Sequence, residues 1–145
     1  MVPRPDTRMI YAIHVDSLAV ESTMAILRAA LPSEGAICYR GAIVDTAFVR
    51  QDSSRVQAKM LILTAATKAL QDSADLFHVY GVHCDGTEIA IAHSHPYSPN
   101  CDQSVDDAIV LFDDSRALAS IVWCGNGETE VLYQDGRRTT SRWRA

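Results

Sequence analysis

A single α/β (α+β) domain, with a mixed β-sheet sandwiched by helices, is what three features of this sequence predict. Strand-type and helix-type runs alternate irregularly, and no internal repeat sets a solenoid period. The third feature is size: 145 residues, 48% of them hydrophobic and 21% charged, are enough for one substantial core without structural metal or disulfides. The domain is expected to span 1–145, with its core over about 9–135 and a mobile C-terminal tail.

Residues 9–15, MIYAIHV, are branched and aromatic and predict a first strand. Asp16-Ser17 then caps a helix that runs to about Ala30 and is stopped by Pro32. From Gly35 to Val49 two strands bent near Gly41 are expected, closed by the polar QDSS. Between Ser54 and Gln71 the apolar residues Val56, Met60, Leu63, Ala66 and Leu70 recur at helical spacing and predict a long amphipathic helix. LFHVYGVHC and TEIAIAHSH read as two strands of a hairpin turned at Asp85-Gly86, because both residues tolerate positive φ. After an irregular YSPNCDQ, the segment SVDDAIVLFDDSRAL is expected to be helical, with hydroxyl and carboxylates in the first turn where the helix dipole favours them. ASIVWC and ETEVLYQ finish as strands around Gly125-Asn126-Gly127.

Charge and composition narrow the function. A formal net charge of -5 gives no basic footprint for phosphate backbones, so nucleic acid is not an expected partner. The start of the chain lacks the apolar core of a signal peptide, and no later stretch approaches the ~20 apolar residues of a membrane span. A soluble, cytoplasmic protein without membrane attachment is the expectation. Cys38, Cys84, Cys101 and Cys124 form no Cys-x-x-Cys pair and are expected to be reduced, mostly buried thiols, with Cys101 bordering the candidate site.

The chemistry gathers in residues 93–107. His93 and His95 stand two apart at the end of a strand, which puts both imidazoles on one face and lets both address one ion. A catalytic zinc needs three protein ligands and an open fourth position, so a carboxylate is wanted, and Asp102, Asp106 and Asp107 are all candidates. Pro96 and Pro99 stiffen the turn that brings one of them back. A His-x-His at a strand end is by itself more often a surface or core pair. The convergence of His, Ser and Asp directly after an apolar strand turns the reading towards a metal site.

His93-Ser94-His95-Pro96, followed by Ser104-Val105-Asp106-Asp107, resembles the signature His-Ser/Thr-His-Pro … Ser-x-x-Asp of the JAMM/MPN+ (JAB domain) zinc metalloisopeptidases. Glu34 and Gly41, in LPSEGAICYRG, match the family's catalytic Glu and the glycine seven residues after it, although Ile37 replaces an intervening glycine. The resemblance implies a JAMM/MPN (cytidine-deaminase-like) architecture of the compact prokaryotic type and one zinc per chain. His93, His95 and Asp107 would be its ligands, Glu34 the acid/base and Ser104 the oxyanion donor. Counted strictly from His95, the family's spacing falls instead on Gln103 and Asp106; one extra loop residue restores Ser104 and Asp107, and that register is preferred. Glu88 is the rival base.

The function implied is cleavage of the (iso)peptide bond after the C-terminal tail of a ubiquitin-like protein, in the manner of a deubiquitinase. That protein or its conjugate would be the substrate, with E1/E2-like conjugation proteins as further partners. The alternatives are a catalytically silent MPN-like scaffold that binds a partner protein, and a RadC-like protein associated with DNA repair, which the acidic balance does not favour. Blander readings suit the remaining conspicuous residues. His14, His78 and His83 are expected to be core or edge histidines, Trp123 core, and RRTTSRWRA a solvated tail.

Overall fold

The structure, a computed structural model, describes residues 10–70, 73–74, 79–80, 84–96, 117–125 and 127–142. In chain order these form β1 (Ile10–Val15), α1 (Ser17–Ala30), β2 (Ala36–Val49), β3 (Arg55–Lys68), β4 (Ser73–Ala74), β5 (Val79–Tyr80), β6 (Ala90–His95), β7 (Ala119–Cys124), β8 (Glu128–Tyr133) and β9 (Arg138–Arg142). Seven strands make one sheet in the order β1-β3-β2-β6-β7-β8-β9, and β4 and β5 pair separately. Within the large sheet β1 runs parallel to β3 and β6 parallel to β7; the other neighbours are antiparallel.

This overturns the expected helix-sandwiched α/β (α+β) layering, and with it the JAMM/MPN (cytidine-deaminase-like) architecture. The chain is mostly β, its large sheet curls into a half-barrel, and α1 is the one helix among the described residues. The physical cause lies in residues 54–71, read from their apolar spacing as a helix. Arg55–Lys68 of that segment form β3, a 14-residue strand paired along its length with the equally long β2. Its buried residues Ala58, Leu61 and Leu63 face a core, and pairing with β2 satisfies the backbone that a helix would have satisfied internally. The turn between the strands is closed by Ser53 at φ 68 and by Asp52, whose carboxylate accepts the Ser54 N–H at 2.9 Å and the Ser54 hydroxyl at 2.6 Å.

The bend expected at Gly41 is a register irregularity between Arg40 and Gly41 in one continuous strand. There β2 approaches β3 so closely that a Cβ on Gly41 would lie 1.8 Å from the Ile62 carbonyl oxygen. The expected hairpin through Asp85-Gly86 is also replaced. Gly86 does adopt φ +89, but β6 pairs with β2 on one side and β7 on the other. The C-terminal RRTTSRW is not a free tail throughout, since Arg138–Arg142 adds an edge strand to β8.

Helix α1 follows its sequence closely. The Asp16 carbonyl accepts the Val20 N–H at 2.9 Å, Arg28 sits in the last turn where the dipole favours a cation, and Pro32 follows the end. Its buried residues Ala19 and Thr23 press on the sheet, joined by Val20, Met24 and Leu27, against Ile37, Tyr39, Leu61 and Leu63. Thr23 donates to the Ala19 carbonyl at 2.7 Å and shares a 2.7 Å hydrogen bond with the Tyr39 hydroxyl. Burial drives the Tyr39 hydroxyl well above the ordinary phenol range, so it stays protonated under that helix. Trp123 joins the same core, as expected.

The opposite face of the sheet carries Ile91 with Leu132 and Ala117, and Ala36 with Cys38 and Ala69. Here the expectation of reduced thiols fails. Cys38 on β2 is bonded to Cys84, 46 residues on, and Cys124 is disulfide-bonded as well. Sequence spacing could not show it, because the two cysteines meet only once β2 lies against β6. No described helix is long and apolar enough to cross a membrane.

Candidate metal centre

Two strand ends build the site. β6 closes on His93-Ser94-His95, and its side chains alternate, so Ser94 turns towards the α1 face with Ala90 and Ala92 while both imidazoles share the Ile91 face. β2 runs antiparallel beside it, with Ala36 opposite His93 and Ile37 opposite Ala92. Continuing that register outwards sets Gly35 against Ser94 and Glu34 against His95. The pairing is real at the first step: the Ser94 N–H donates to the Gly35 carbonyl at 3.0 Å.

As a result Glu34, His93 and His95 offer one ligand atom each, all within 4.8 Å of one another, and all three residues are half-buried. His93 Nε2 faces His95 Nε2 at 3.1 Å, the rings meeting edge-on at 61° with centroids 4.9 Å apart. Two imidazole nitrogens sharing a tetrahedral zinc at about 2.0–2.1 Å stand roughly 3.3 Å apart, so an ion fits between them with a shift of a few tenths of an ångström. Two imidazoles and a carboxylate are also the donor types of a catalytic zinc site, with the limited negative charge that leaves the ion strongly electrophilic.

The expected site is thus brought together in part. Glu34 lies beside His93 and His95, which follow it by 59 and 61 residues in the chain. Asp102, Gln103, Ser104, Asp106, Asp107 and Cys101 lie outside the described residues. Glu88 is set apart from the cluster. It is buried near the far end of β6, accepts the Gly86 N–H at 2.8 Å, and stands five residues from His93, roughly 16 Å along a strand. Its carboxylate serves the turn. Among the other histidines, His14 is exposed on β1 and lies 3.1 Å from Asp16, while His78 and His83 are outside the described residues.

Ser94, which the signature includes without a stated role, and Gly125, which no motif includes, hold the site's frame. Ser94 accepts the Gly35 N–H on its side-chain oxygen at 2.8 Å. Gly125 donates to the His95 carbonyl at 3.3 Å, and a Cβ there would lie 2.2 Å from the Pro96 carbonyl oxygen. β7 therefore clamps the end of β6 by close backbone approach, which a lone glycine in a turn does not announce in sequence. On the α1 face behind the cluster lies a cleft of ≈ 430 Å³, lined by Val20, Met24, Leu27, Trp123, Ser94 and Pro96 among others. It is mostly apolar, with Arg28 on its wall.

No family model matches the chain, and no curated protein does. Among solved structures it is similar to protein DSY2949 of Desulfitobacterium hafniense, determined in solution, at 16% identity over 90% of each chain with a TM-score of 0.52. At that identity the likeness concerns the fold alone.

Proposed function

We propose that this chain is a zinc-dependent hydrolase of amide bonds, acting on the (iso)peptide bond that follows the C-terminal tail of a ubiquitin-like protein. One observation carries the catalytic half of the proposal: a carboxylate two residues before β2 and two imidazoles on β6 converge within 4.8 Å. Zinc, when bound, supplies Lewis acidity and a water acidic enough to attack at neutral pH. Glu34 stands where a carboxylate can take the proton of the attacking water and return it to the leaving amine. His93 and His95 would hold the ion through their ring nitrogens. From the sequence motif, Asp107 completes the ligand set, or Asp106 under the stricter spacing, and Ser104 donates to the oxyanion. The substrate half rests on that motif, and so do any conjugation-type partners.

The compartment belongs to the same proposal. We propose a cytoplasmic location, against which the Cys38–Cys84 bridge weighs, since cytosolic thiols are held reduced. Alkylation of Cys38 and Cys84 in acid-quenched cells tests that location. For the activity, Glu34→Gln is the test. It should keep its zinc and lose about 10²–10⁴-fold in turnover of a ubiquitin-like fusion. Cleavage at the wild-type rate would remove Glu34 from the mechanism.

A further inference from the structure

We infer that Ser94, the residue between the two histidines, is the positioning residue that fixes Glu34 relative to them; this rests on the metal-site reading above. In an antiparallel ladder two directly opposed residues exchange two backbone hydrogen bonds, or none. Gly35 and Ser94 are opposed by the register that pairs Ala36 with His93. They exchange one in the ordinary way, Ser94 N–H to the Gly35 carbonyl at 3.0 Å. The return bond is different: the Gly35 N–H donates to the Ser94 side-chain oxygen at 2.8 Å.

That substitution has a mechanical consequence. The donor N–H belongs to the peptide linking Glu34 to Gly35, so the plane of that peptide, and the direction in which Glu34 leaves the backbone, depends on the Ser94 side chain. Ser94 is only 5% exposed, which removes water as a replacement acceptor. The other side of the same peptide is bounded by α1. A Cβ on Gly35 would lie 2.8 Å from Leu27 Cδ2 and 3.3 Å from Ala30 Cβ, so the glycine is seated directly against the helix. Glu34 is thereby held between a helix and a hydroxyl. The same residue sets the spacing of His93 and His95 through its backbone while its side chain points to the opposite face. One residue therefore ties the Glu34 carboxylate, just before β2, to both imidazoles of β6.

Cobalt(II) replaces zinc as a visible probe of the site, and Glu34, which is not one of the ion's ligands, should influence the pH midpoint of its spectrum and leave its affinity largely unchanged. Four variants are compared with wild type: Glu34→Gln, Ser94→Ala, and the equal-sized pair Ser94→Thr and Ser94→Val, which differ in the hydroxyl. Ser94→Ala and Ser94→Val should retain cobalt, as Glu34→Gln does, and lose about 10–100-fold in turnover of a ubiquitin-like fusion, the range for partners that orient a site's groups. They should also move the spectral midpoint in the direction that Glu34→Gln moves it, while Ser94→Thr stays near wild type. If Ser94→Ala fails to fold, the Thr and Val pair decides alone. A lowered melting temperature with an unmoved cobalt spectrum in Ser94→Ala and Ser94→Val overturns the inference, as does equal behaviour of Thr and Val. Absence of cobalt binding by the wild type instead overturns the metal-site reading beneath it.

Discussion

Gly41→Ala is expected to be among the most damaging single methyl additions available in this protein. Gly41 carries no positive φ, so the cost is steric and not conformational. The added Cβ would lie 1.8 Å from the Ile62 carbonyl oxygen, 2.8 Å from its carbon and 3.1 Å from Leu63 Cα. All three are backbone atoms and cannot rotate away. β2 and β3 must therefore part by roughly 1 Å beside Leu61 and Leu63, both fully buried. Overpacking of a rigid site costs about 1–3 kcal/mol, and a disturbed ladder bond adds about 1–2 kcal/mol, giving about 2–5 kcal/mol in all. For a domain of this size that lowers the melting temperature by roughly 5–20 °C. Gly86→Ala is the control. It has φ +89 and nothing within 4 Å of the added methyl, so only the left-handed backbone term of about 1–2 kcal/mol applies. Urea unfolding of both variants separates the two causes. A Gly41→Ala protein within 1 kcal/mol of wild type, or no worse than Gly86→Ala, would refute the close approach of β2 to β3.

The remaining predictions concern the bridge and the third ligand. Removing the Cys38–Cys84 bond by a Cys38→Ser, Cys84→Ser double substitution releases a loop of 46 residues and should cost up to about 4 kcal/mol from chain entropy. Calorimetry with and without reductant reads it, and identical melting of wild type in both conditions, with both thiols free to alkylate, would rule out the bridge. From the Ser-x-x-Asp motif, Asp107→Ala should abolish zinc binding while Asp106→Ala largely spares it. A competitive zinc titration that gives the reverse order restores the stricter spacing and puts Gln103 at the serine position.

What the sequence made legible, and what it hid, follows from how local each signal is. α1 was readable because its cap, its apolar face and Pro32 lie within one short stretch. β6, β7 and β8 were readable as strands from their branched residues, and Gly125 to Gly127 from their turn chemistry. Residues 54–71 misled because Val56, Met60, Leu63 and Ala66 fit a helical period while the deciding partner, β2, lies at residues 36–49. Alternation was blurred there too, since β3 is half-buried at both Met60 and Ile62 beside buried Leu61 and Leu63. With that helix went the layered fold class. The edge strand β9 was hidden by its polar composition, because its pairing with β8 uses backbone alone. At the site, Glu34, His93 and His95 could be given roles from motifs, whereas Ser94, although the signature includes it, could not. Its contribution is a side-chain hydrogen bond to a glycine 59 residues away, which a His-Ser-His triplet does not announce.

That His93 and His95 hold a zinc ion beside Glu34 is tested most directly by metal content. Purified wild-type protein, dialysed against metal-free buffer and measured by plasma mass spectrometry, should carry about one zinc per chain. His93→Ala and His95→Ala should each lose it while remaining folded, since both imidazoles are half-buried at a strand end and outside the core. Full zinc occupancy in both histidine variants, or none in the wild type after incubation with zinc, would contradict the account.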